Sequence, residues 1–479
     1  MSLFKPTSLG GSARLALGHR VVLAPLTRNR ADAETLVPQA MCVEYYKQRA
    51  SPGGLLISEA TNISPESLAY PATPGIWNAA QVEGWRKVTD AVHEEGGLIF
   101  CQLWHTGRVA HDSYRLHPLG DPARAPSVSA SSTQIVKQSG KPGKTLGYGD
   151  AGFVDYSVPR ALRDDEISGR LLDDYRRAAS NARAAGFDGV ELHAAHGYLI
   201  DQFLNDGVNV RGAAESGYGG SIEKRCRLLF EAIDVLQTIW PPGRGRCERR
   251  ERGKRGAICG AGLQQKCRKK LMLNQYEALT ISSPPLSLSL LRTVACRLSP
   301  HVFSRLNNPK AVTFYGCTDS NPDAVYTHAV AGLRDKGLAY LLLTEPRWTG
   351  KYDDRNAEDD PSFGIPIVNG AKFRSIFGAE NFLIGSSGFT PAAAEQAVAS
   401  GVYDAIAFGR HFIANPDLPR RLRDGSALNR YERATFYGGG EDGYTSYPDV
   451  DGTFGDVGGY ELVEQSDVRR SGGGAASKL

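Results

Sequence analysis

Long apolar runs, regularly spaced cysteines and an apolar leader are all missing from this sequence of 479 residues. The longest apolar strings, such as residues 338–343, have only the length of a strand, so we expect no membrane span. The N-terminus lacks the apolar segment of a signal peptide, and the 8 cysteines follow no regular spacing. These absences predict an intracellular protein with reduced thiols rather than a secreted disulfide scaffold.

The sequence also carries little net charge, +4 in all. Most of its basic excess lies in residues 243–270, where 11 lysines and arginines face 2 glutamates. That block is +9, so the rest of the chain is −5 by subtraction. A weakly acidic chain with one basic block gives no general indication of nucleic-acid binding. Hydrophobic residues make up 41% of the sequence, enough to bury a sizeable core.

What the sequence does contain is a repeated pattern of short apolar runs followed by segments of helical periodicity. The strand candidates are residues 21–28, 54–62, 97–105, 187–196, 293–300, 338–346, 381–388 and 403–410. Eight βα units predict an α/β fold, a (β/α)8 TIM barrel. An open doubly wound sheet is the alternative, but no G-x-G-x-x-G motif follows the first strand.

Two segments do not follow this pattern. We expect a single barrel over residues 1–450, with an irregular insertion at 241–292 between the fourth helix and the fifth strand. A shorter irregular segment covers 302–313, and a C-terminal tail covers 451–479. We interpret the first segment as a disordered insertion or as sequence from a mispredicted gene, with a functional interaction loop as the alternative. Its cysteines lack the paired spacing of a zinc site.

Polar residues and glycines lie at the ends of the predicted strands, where a βα barrel carries its chemistry. Thr27, Gln102 and Arg297 supply side-chain donors for the polar edge of a flat heterocycle. The strands that end at Gly388 and Gly409 suit a phosphate, because backbone N–H groups can approach it closely there. A phosphate and a polar-edged ring indicate a nucleotide-like cofactor, and flavin mononucleotide (FMN) fits best.

Seven stretches, in order along the chain, resemble the old yellow enzyme family of FMN-dependent ene reductases, closest to its oxophytodienoate reductase-like branch. They read VVLAPLTRNRA, GGLLISEATNISP, FCQLWHTGR, GFDGVELHAAHGYLIDQFLNDGVN, YGGSIEKRCR, FGRHFIANPDLPRRL and TFYGGGEDGYTSYP. The resemblance covers roughly residues 1–240 and 293–450. It implies bound FMN, NADPH as co-substrate, and reduction of the C=C bond of α,β-unsaturated carbonyl compounds, with oxylipin-type cyclic enones as the expected substrates.

The resemblance also implies which residues bind the cofactor. They are Pro25, Thr27, Ala60, Gln102, Arg297, Ser387, Gly388, Gly409 and Arg410. Thr27 would contact the O4 region of the flavin and Gln102 its pyrimidine edge. Arg297 would lie near N1 and O2, where a cation stabilises the reduced ring.

The catalytic residues follow from the same resemblance. Hydride would pass from flavin N5 to the substrate β-carbon while His193 and His196 hold the carbonyl oxygen. Tyr198 would protonate the α-carbon, and Trp104 and Tyr437 would line the substrate pocket. No metal is expected.

The residues also allow other interpretations. A His-x-x-His pair taken alone is more often structural, and a metal-dependent hydrolase using His193, His196 and a carboxylate is an alternative enzyme, although no H-E-x-x-H motif is present. A third interpretation is a degenerate, inactive barrel whose basic insertion binds nucleic acid or another acidic partner.

The last three residues, Ser477, Lys478 and Leu479, form a peroxisomal address. We therefore expect a peroxisomal protein, cytoplasmic otherwise, whose partners are a small enone and a peroxisomal import receptor. No membrane or nucleic-acid partner is expected. The oligomeric state is expected to be a monomer or a homodimer.

Overall fold

Eight parallel strands form the centre of the computed structural model, which describes residues 1–10, 15–122, 127–137, 140–241, 293–300, 314–345, 369–452 and 462–463. They are β1 (Val21–Leu23), β2 (Leu55–Ile57), β3 (Leu98–Trp104), β4 (Gly189–Ala194), β5 (Thr293–Leu298), β6 (Leu341–Thr344), β7 (Leu383–Ser386) and β8 (Ala405–Phe408). Each strand pairs in parallel with the next, and β8 pairs with β1, so the sheet closes. The predicted (β/α)8 barrel is confirmed.

A helix follows each strand and packs outside the barrel. The helices are α1 (Ala40–Arg49), α2 (Ala79–Glu94), α3 (Leu172–Ala184), α4 (Ile222–Ile239), α5 (Pro322–Arg334), α6 (Asn369–Phe377), α7 (Pro391–Ala399) and α8 (Leu418–Asp424). Side-chain hydrogen bonds cap the N-termini of several of these helices. The Asn78 side chain accepts from the Gln81 N–H at the start of α2, and Thr390 accepts from the Ala393 N–H at the start of α7.

Shorter elements connect and close the barrel. The short α-helices are Asp164–Glu166, Leu199–Leu204 and Arg410–Ala414, and a π-helical turn spans Ile167–Leu171. The 3-10 helices are Ser2–Phe4, Pro65–Ser67, Gly107–Val109, Asp112–Leu116, Gly149–Ala151, Phe314–Gly316 and Arg433–Thr435. The short strand pairs are Thr7–Ser8 with Ala16–Leu17, Val128–Ser129 with Arg160–Ala161, Lys144–Leu146 with Phe153–Asp155, and Leu428–Asn429 with Leu462–Val463; Thr61–Asn62 adds to β3. None of the described helices is long and apolar enough to cross a membrane.

Two apolar layers follow from the alternation of side chains along each strand. One cluster fills the barrel interior; its members include Val22, Leu55, Phe100, Ala295, Leu342, Ile384 and Ala407. Leu9 and Leu17, from the N-terminal hairpin region, join this interior cluster. The intervening strand residues pack against the helices; they include Leu23, Leu56, Cys101, Leu192, Cys296, Leu343 and Phe408. The strands are buried on both faces, as parallel strands usually are.

The fifth strand lies in the barrel despite the long segment that precedes it. Six residue pairs, from Gly189↔Thr293 to Ala194↔Leu298, join β4 to β5 in parallel, and β5 also pairs with β6. The described residues, all of which lie outside 244–290, form one compact unit. The predicted insertion beyond residue 241, the irregular segment at 302–313 and the terminal Ser-Lys-Leu lie outside the described residues.

Candidate active site

The interior positions of the strands change from apolar to polar toward their carboxyl ends. Phe100, Gln102 and Trp104 follow one another on the same face of β3, and Glu191 and His193 do so on β4. Gln102 lies beside Glu191 in register, and its Nε2 donates to the Glu191 Oε1 at 2.6 Å. A polar layer therefore lies at the carboxyl end of the barrel.

Arg297 adds a cation to this layer. It lies beside His193 in the register of β4 and β5 and is 9% exposed. Its Nε has no hydrogen-bond partner among the described residues. Burial lowers the pKa of Arg297, and the negative charge of Glu191 opposes that shift. A buried guanidinium with an unused donor fits a ligand that carries carbonyl oxygens or negative charge.

Four ring-bearing side chains lie together at the same end. The centroid of the Trp104 ring is 6.3 Å from that of His193 and 4.9 Å from that of Tyr198. The His193 ring is 5.0 Å from the Tyr198 ring and 5.6 Å from the His196 ring. The structure thus brings the two imidazoles next to the phenol and the indole that the sequence assigned to one site.

His193 is a neutral imidazole in this environment. Burial and the charge of Arg297 hold its pKa well below the usual value. Its Nδ1 accepts a long hydrogen bond, 3.4 Å, from the Ala195 N–H, which leaves the ring proton on Nε2. A neutral histidine of this tautomer can donate a hydrogen bond to a carbonyl oxygen.

The chain turns sharply after β4. His196 has a backbone φ of +58° and Gly197 one of +74°, so two consecutive residues are left-handed. The His196 Nε2 lies 3.3 Å from the Thr344 Oγ1, at the end of β6. The turn places the His196 and Tyr198 rings beside His193 although the strand has already ended.

Tyr198 lies among other phenols. Burial raises its pKa to about 12, and hydrogen bonds with Tyr315 and Tyr70 oppose that rise. The Tyr70 and Tyr315 hydroxyl oxygens are 2.6 Å apart, and the Tyr198 ring centroid is 5.5 Å from that of Tyr315. Tyr198 therefore carries its proton at neutral pH.

A buried carboxylate joins the loops that follow β1 and β2. The Glu59 Oε2 accepts from the Arg28 backbone N–H at 3.2 Å. Burial raises the pKa of Glu59 to about 7. Thr27 precedes Arg28 and Ala60 follows Glu59, so this contact fixes two of the expected flavin contacts relative to each other. Ala60 and Pro25 are buried, whereas Thr27 is half-buried.

The ends of β7 and β8 lie side by side in the sheet. Ser387 and Gly388 have φ values of +79° and +67°, so the chain leaves β7 through two left-handed residues. A Cβ on Gly409 would lie 3.2 Å from a leucine side chain in the loop after β1. Arg410 donates to the Tyr431 hydroxyl at 3.3 Å. These four expected phosphate contacts occupy one half-buried corner of the barrel rim.

Tyr437 belongs to segment 435–443, which two buried arginines hold. Arg28 donates from Nε and Nη2 to two carbonyl oxygens of this segment at 2.9 Å each. Arg30 donates to two other carbonyl oxygens of the same segment, also at 2.9 Å each. Tyr437 itself is 64% exposed, so it lies at the rim of the site rather than within the ring cluster.

Sequence reasoning missed several residues of this site. They are Arg28, Arg30, Glu59, Tyr70, Glu191, Tyr315 and Thr344. Glu191 had a signal, because a charged residue two positions before His193 in an apolar strand must face the same side as the histidine. Tyr70 and Tyr315 had none, since Tyr70 lies in a loop and Tyr315 in a 3-10 helix of only three residues.

The residues present fit FMN. Arg297 Nε is a buried donor that nothing else in the described part of the chain uses. It lies with Gln102 at one end of the barrel, and the corner at Ser387 and Gly409 is half-buried. A polar-edged ring attached to a phosphate matches this set. For a metal the described residues offer no group of three or more His, Cys, Asp or Glu, so a hydrolase built on the histidine pair has no third ligand there.

Comparison with known proteins gives concordant matches. Residues 2–239 match the family model described as the NADH:flavin oxidoreductase / NADH oxidase family. "Putative 12-oxophytodienoate reductase 4" of Oryza sativa subsp. japonica is 37% identical over 461 residues, covering 94% of this chain and 93% of that protein. "12-oxophytodienoate reductase 2" of Arabidopsis thaliana is 35% identical over 452 residues, covering 94% and 96%.

Solved structures agree with these relatives. Morphinone reductase in complex with tetrahydroNAD superposes with a TM-score of 0.70 at 36% identity, covering 94% of this chain and 98% of that one. The old yellow enzyme homologue from Zymomonas mobilis gives a TM-score of 0.69 at 35% identity, covering 94% and 99%. The similarity extends over nearly the whole chain in sequence and in structure.

Proposed function

Because the chain belongs to the NADH:flavin oxidoreductase / NADH oxidase family, that of the old yellow enzymes, and is thus an FMN-dependent oxidoreductase, we propose that it reduces the C=C bond of α,β-unsaturated carbonyl compounds with NADPH as the electron donor. The observation that carries the proposal is the cluster of His193, His196 and Tyr198, in which two imidazoles lie beside a protonated phenol. The histidines can hold a carbonyl oxygen while the phenol supplies a proton.

The cofactor contacts divide into two groups. Bound FMN would supply the hydride transfer that the reaction requires. Residues for its ring are Pro25, Thr27, Ala60, Gln102 and Arg297, and those for its phosphate are Ser387, Gly388, Gly409 and Arg410. The cation at Arg297 favours negative charge on the ring, and the negative charge of Glu191 favours the protonated form of Arg297.

The two histidines bind and polarise the substrate. His193 is neutral and carries its proton on Nε2, so it donates to the carbonyl oxygen without adding a charge to the buried site. His196 lies beside it and adds a second ring nitrogen. Negative charge that develops on the oxygen is stabilised by such fixed donors, each of which contributes about 10²–10³-fold in rate in comparable sites.

Tyr198 delivers the proton. Its pKa of about 12 keeps the phenol protonated at neutral pH, while a carbanion-like α-carbon is a far stronger base and takes the proton. The hydroxyls of Tyr70 and Tyr315 bond to Tyr198 and stabilise the phenolate left behind. The proton can then be restored before the next turnover.

The finer assignments of substrate and electron donor rest on the relatives. Curated relatives are named 12-oxophytodienoate reductases, which supports oxylipin-type cyclic enones as substrates. A related structure contains tetrahydroNAD, which supports a nicotinamide donor; we propose NADPH as that donor.

The decisive experiment follows the visible spectrum of the purified protein. We expect a yellow protein that anaerobic NADPH bleaches and cyclohexenone then restores, because the two half-reactions use one site in turn. A protein that binds FMN and is bleached by NADPH but never regains colour with any enone would overturn the proposed substrate class.

The variant Tyr198→Phe tests the proton donor separately. Enone turnover should fall by about 10²–10⁴-fold, the range for loss of a general acid, while bleaching by NADPH persists. Tyr175→Phe is the matched control, since Tyr175 is fully buried on α3 away from the site. Equal turnover in the Tyr198 and Tyr175 variants would remove Tyr198 from the mechanism.

We propose peroxisomal localisation, with an import receptor as partner, on the terminal Ser477-Lys478-Leu479 alone. A fluorescent protein fused to the N-terminus should enter peroxisomes, and deletion of the tripeptide should leave the fusion in the cytosol. A monomeric or homodimeric state is a proposal of the same kind, which sedimentation would check.

A further inference from the structure

Two side chains hold the turn that carries the proposed catalytic groups. The turn consists of His196, Gly197 and Tyr198, and its first two residues are left-handed. A left-handed residue with a side chain is strained, so neighbouring structure must fix such a conformation. The supporting side chains come from the short helix that follows, Leu199–Leu204.

Asp201 holds the N–H side of the turn. The Gly197 N–H donates to the Asp201 Oδ2 at 2.7 Å. The other carboxylate oxygen, Oδ1, accepts from the Tyr326 hydroxyl at 2.7 Å and from the Asn205 Nδ2 at 3.0 Å. Asp201 is fully buried, and no cation among the described residues is one of the main influences on its charge. Hydrogen bonds alone therefore hold this carboxylate.

Gln202 holds the opposite side of the turn. Its Nε2 donates to the Gly197 carbonyl oxygen at 2.8 Å and to that of Thr106 at 3.1 Å. Its Oε1 accepts from the Arg108 N–H at 3.1 Å and from the Ser129 hydroxyl at 3.0 Å. Both backbone groups of Gly197 are thus bound by buried side chains, and the loop after β3 is tied to the same point.

We propose that Asp201 and Gln202 are positioning residues that set Tyr198 for proton transfer. This inference rests on the proposed function and specifies which residues outside the ring cluster make that site competent. The helix that carries Asp201 and Gln202 begins directly after Tyr198, and the Gln202 N–H donates to the Tyr198 carbonyl oxygen at 2.8 Å. Both side chains bind the backbone of Gly197, which is joined to Tyr198 by one peptide unit. A substitution of either side chain can therefore displace the Tyr198 ring.

The primary test is a double-mutant cycle of Asp201→Ala with Tyr198→Phe, read as kcat/KM for cyclohexenone. Displacing a catalytic group by about 1 Å can cost about 100-fold, so we expect a loss of that size from Asp201→Ala in the wild-type background. With the Tyr198 hydroxyl already absent, most of that loss should vanish. An equal loss in both backgrounds would show that Asp201 does not act through Tyr198.

Rescue by Asp201→Asn separates positioning from charge. The Asn205 Oδ1 has no hydrogen-bond partner in the part of the chain that is described. The new amide can keep its oxygen on the Gly197 N–H and turn its nitrogen toward a reoriented Asn205 amide or the Tyr326 oxygen. We expect kcat/KM close to wild type for this variant. A loss as large as that of Asp201→Ala would contradict the positioning role.

The matched control is Asp188→Ala. Asp188 is also buried, and its Oδ2 accepts from the Ile99 N–H at 2.9 Å and lies 2.8 Å from the His93 Nε2, at the opposite end of β4. This variant should lower stability and leave kcat/KM of the folded holoenzyme unchanged. If it lowers kcat/KM as much as Asp201→Ala does, the effect is general destabilisation and the inference fails.

A milder variant covers the case in which Asp201→Ala does not fold. The Asp201 carboxylate accepts three hydrogen bonds, and Tyr326, which lies outside the ring cluster, donates one of them. Tyr326→Phe removes that donor. Tyr326→Phe should lower kcat/KM severalfold in the wild-type background and have no effect in the Tyr198→Phe background. An equal loss of kcat/KM in the two backgrounds would overturn the inference. A wild-type protein that never reduces cyclohexenone would instead contradict the proposed function, so the two failures are distinguishable.

Discussion

At the scale of single residues, burial sets the protonation states on which the proposed reaction depends. It pushes the pKa of His193 well below its usual value and raises that of Tyr198 to about 12. Neither group changes its charge near neutral pH, so the site holds a neutral donor and a protonated phenol together. The same residues on a solvent-exposed loop would have ordinary pKa values and no fixed geometry.

Backbone strain at Ser387 gives a prediction at this scale. Its φ of +79° is left-handed, a conformation that costs a residue with a side chain about 1–2 kcal/mol. Ser387→Gly should therefore raise the unfolding free energy of the apoprotein by about 1 kcal/mol, after allowance for the greater entropy of unfolded glycine. Urea-induced unfolding measures this difference.

Ser400→Gly is the control for that prediction. Ser400 is the C-cap residue that follows α7; its φ is −76°, where a side chain causes no strain. Glycine there should lower the unfolding free energy by about 0.5–1 kcal/mol. If Ser387→Gly is destabilising to the same degree, the left-handed conformation at Ser387 is not a source of strain.

At the scale of elements, neighbouring elements hold the loops that carry the site. Glu59 joins the loops after β1 and β2, and Gln202 joins the turn after β4 to the loop after β3. Arg28 and Arg30 join the end of β1 to segment 435–443, which carries Tyr437. The barrel supplies the positions of the strand ends, and these contacts supply the positions of the loops.

The contact between Arg28 and segment 435–443 can be tested by Arg28→Lys. An ammonium group cannot reproduce the two directions in which the guanidinium donates to the segment, so at least one hydrogen bond should be lost. A hydrogen bond to a charged group contributes about 1.5 kcal/mol, which corresponds to about tenfold faster amide exchange in 435–443. Hydrogen exchange with mass spectrometry measures this directly.

Arg20→Lys is the matched control. Arg20 also donates to two backbone carbonyl oxygens, of Lys5 and Asp404, but outside segment 435–443. It should leave the exchange of segment 435–443 unchanged. Unaltered exchange in the Arg28 variant as well would mean that other contacts hold the segment.

At the scale of the whole molecule, closure of the barrel decides whether the site exists. The segment between α4 and β5 is long, yet β5 pairs with β4 through six residues. That pairing places Arg297 beside His193, so the interior layer and the ring cluster depend on one strand junction. Closing a longer loop costs only about 0.6 kcal/mol for each doubling of its length, which a barrel of this size can tolerate.

Removal of residues 244–290 tests this directly. A variant with a linker of about six residues in their place should stay yellow and gain about 1.3 kcal/mol of unfolding free energy, since the connection between α4 and β5 falls to about a quarter of its length, which is about two halvings. Denaturant unfolding and the FMN spectrum provide the two measurements. A linker of about twelve residues controls for strain, and a colourless protein with both linkers would mean that the segment is required for the barrel.

Much of the fold could be predicted from the sequence, because the patterns that identify strands and helices involve only residues that are near one another in the chain. The alternation of Phe100, Gln102 and Trp104 with apolar residues identifies a strand and its polar end without reference to the rest of the chain. The positions of His193 and Arg297 followed in the same way, and the motif resemblance assigned their roles. Tyr70, Tyr315 and Glu59 were missed because their importance depends on contacts between segments far apart in the chain.

The sequence by itself determined eight strands, the helices between them and the chemical types at the strand ends, because periodic burial is set by neighbouring residues. Only the tertiary structure decided that β5 joins the barrel, that Tyr198 is surrounded by two further phenols, and that Asp201 and Gln202 hold its turn. Irregular backbone has no repeating pattern to reveal its course. Its geometry is fixed by hydrogen bonds to distant groups, which exist only once the chain has folded.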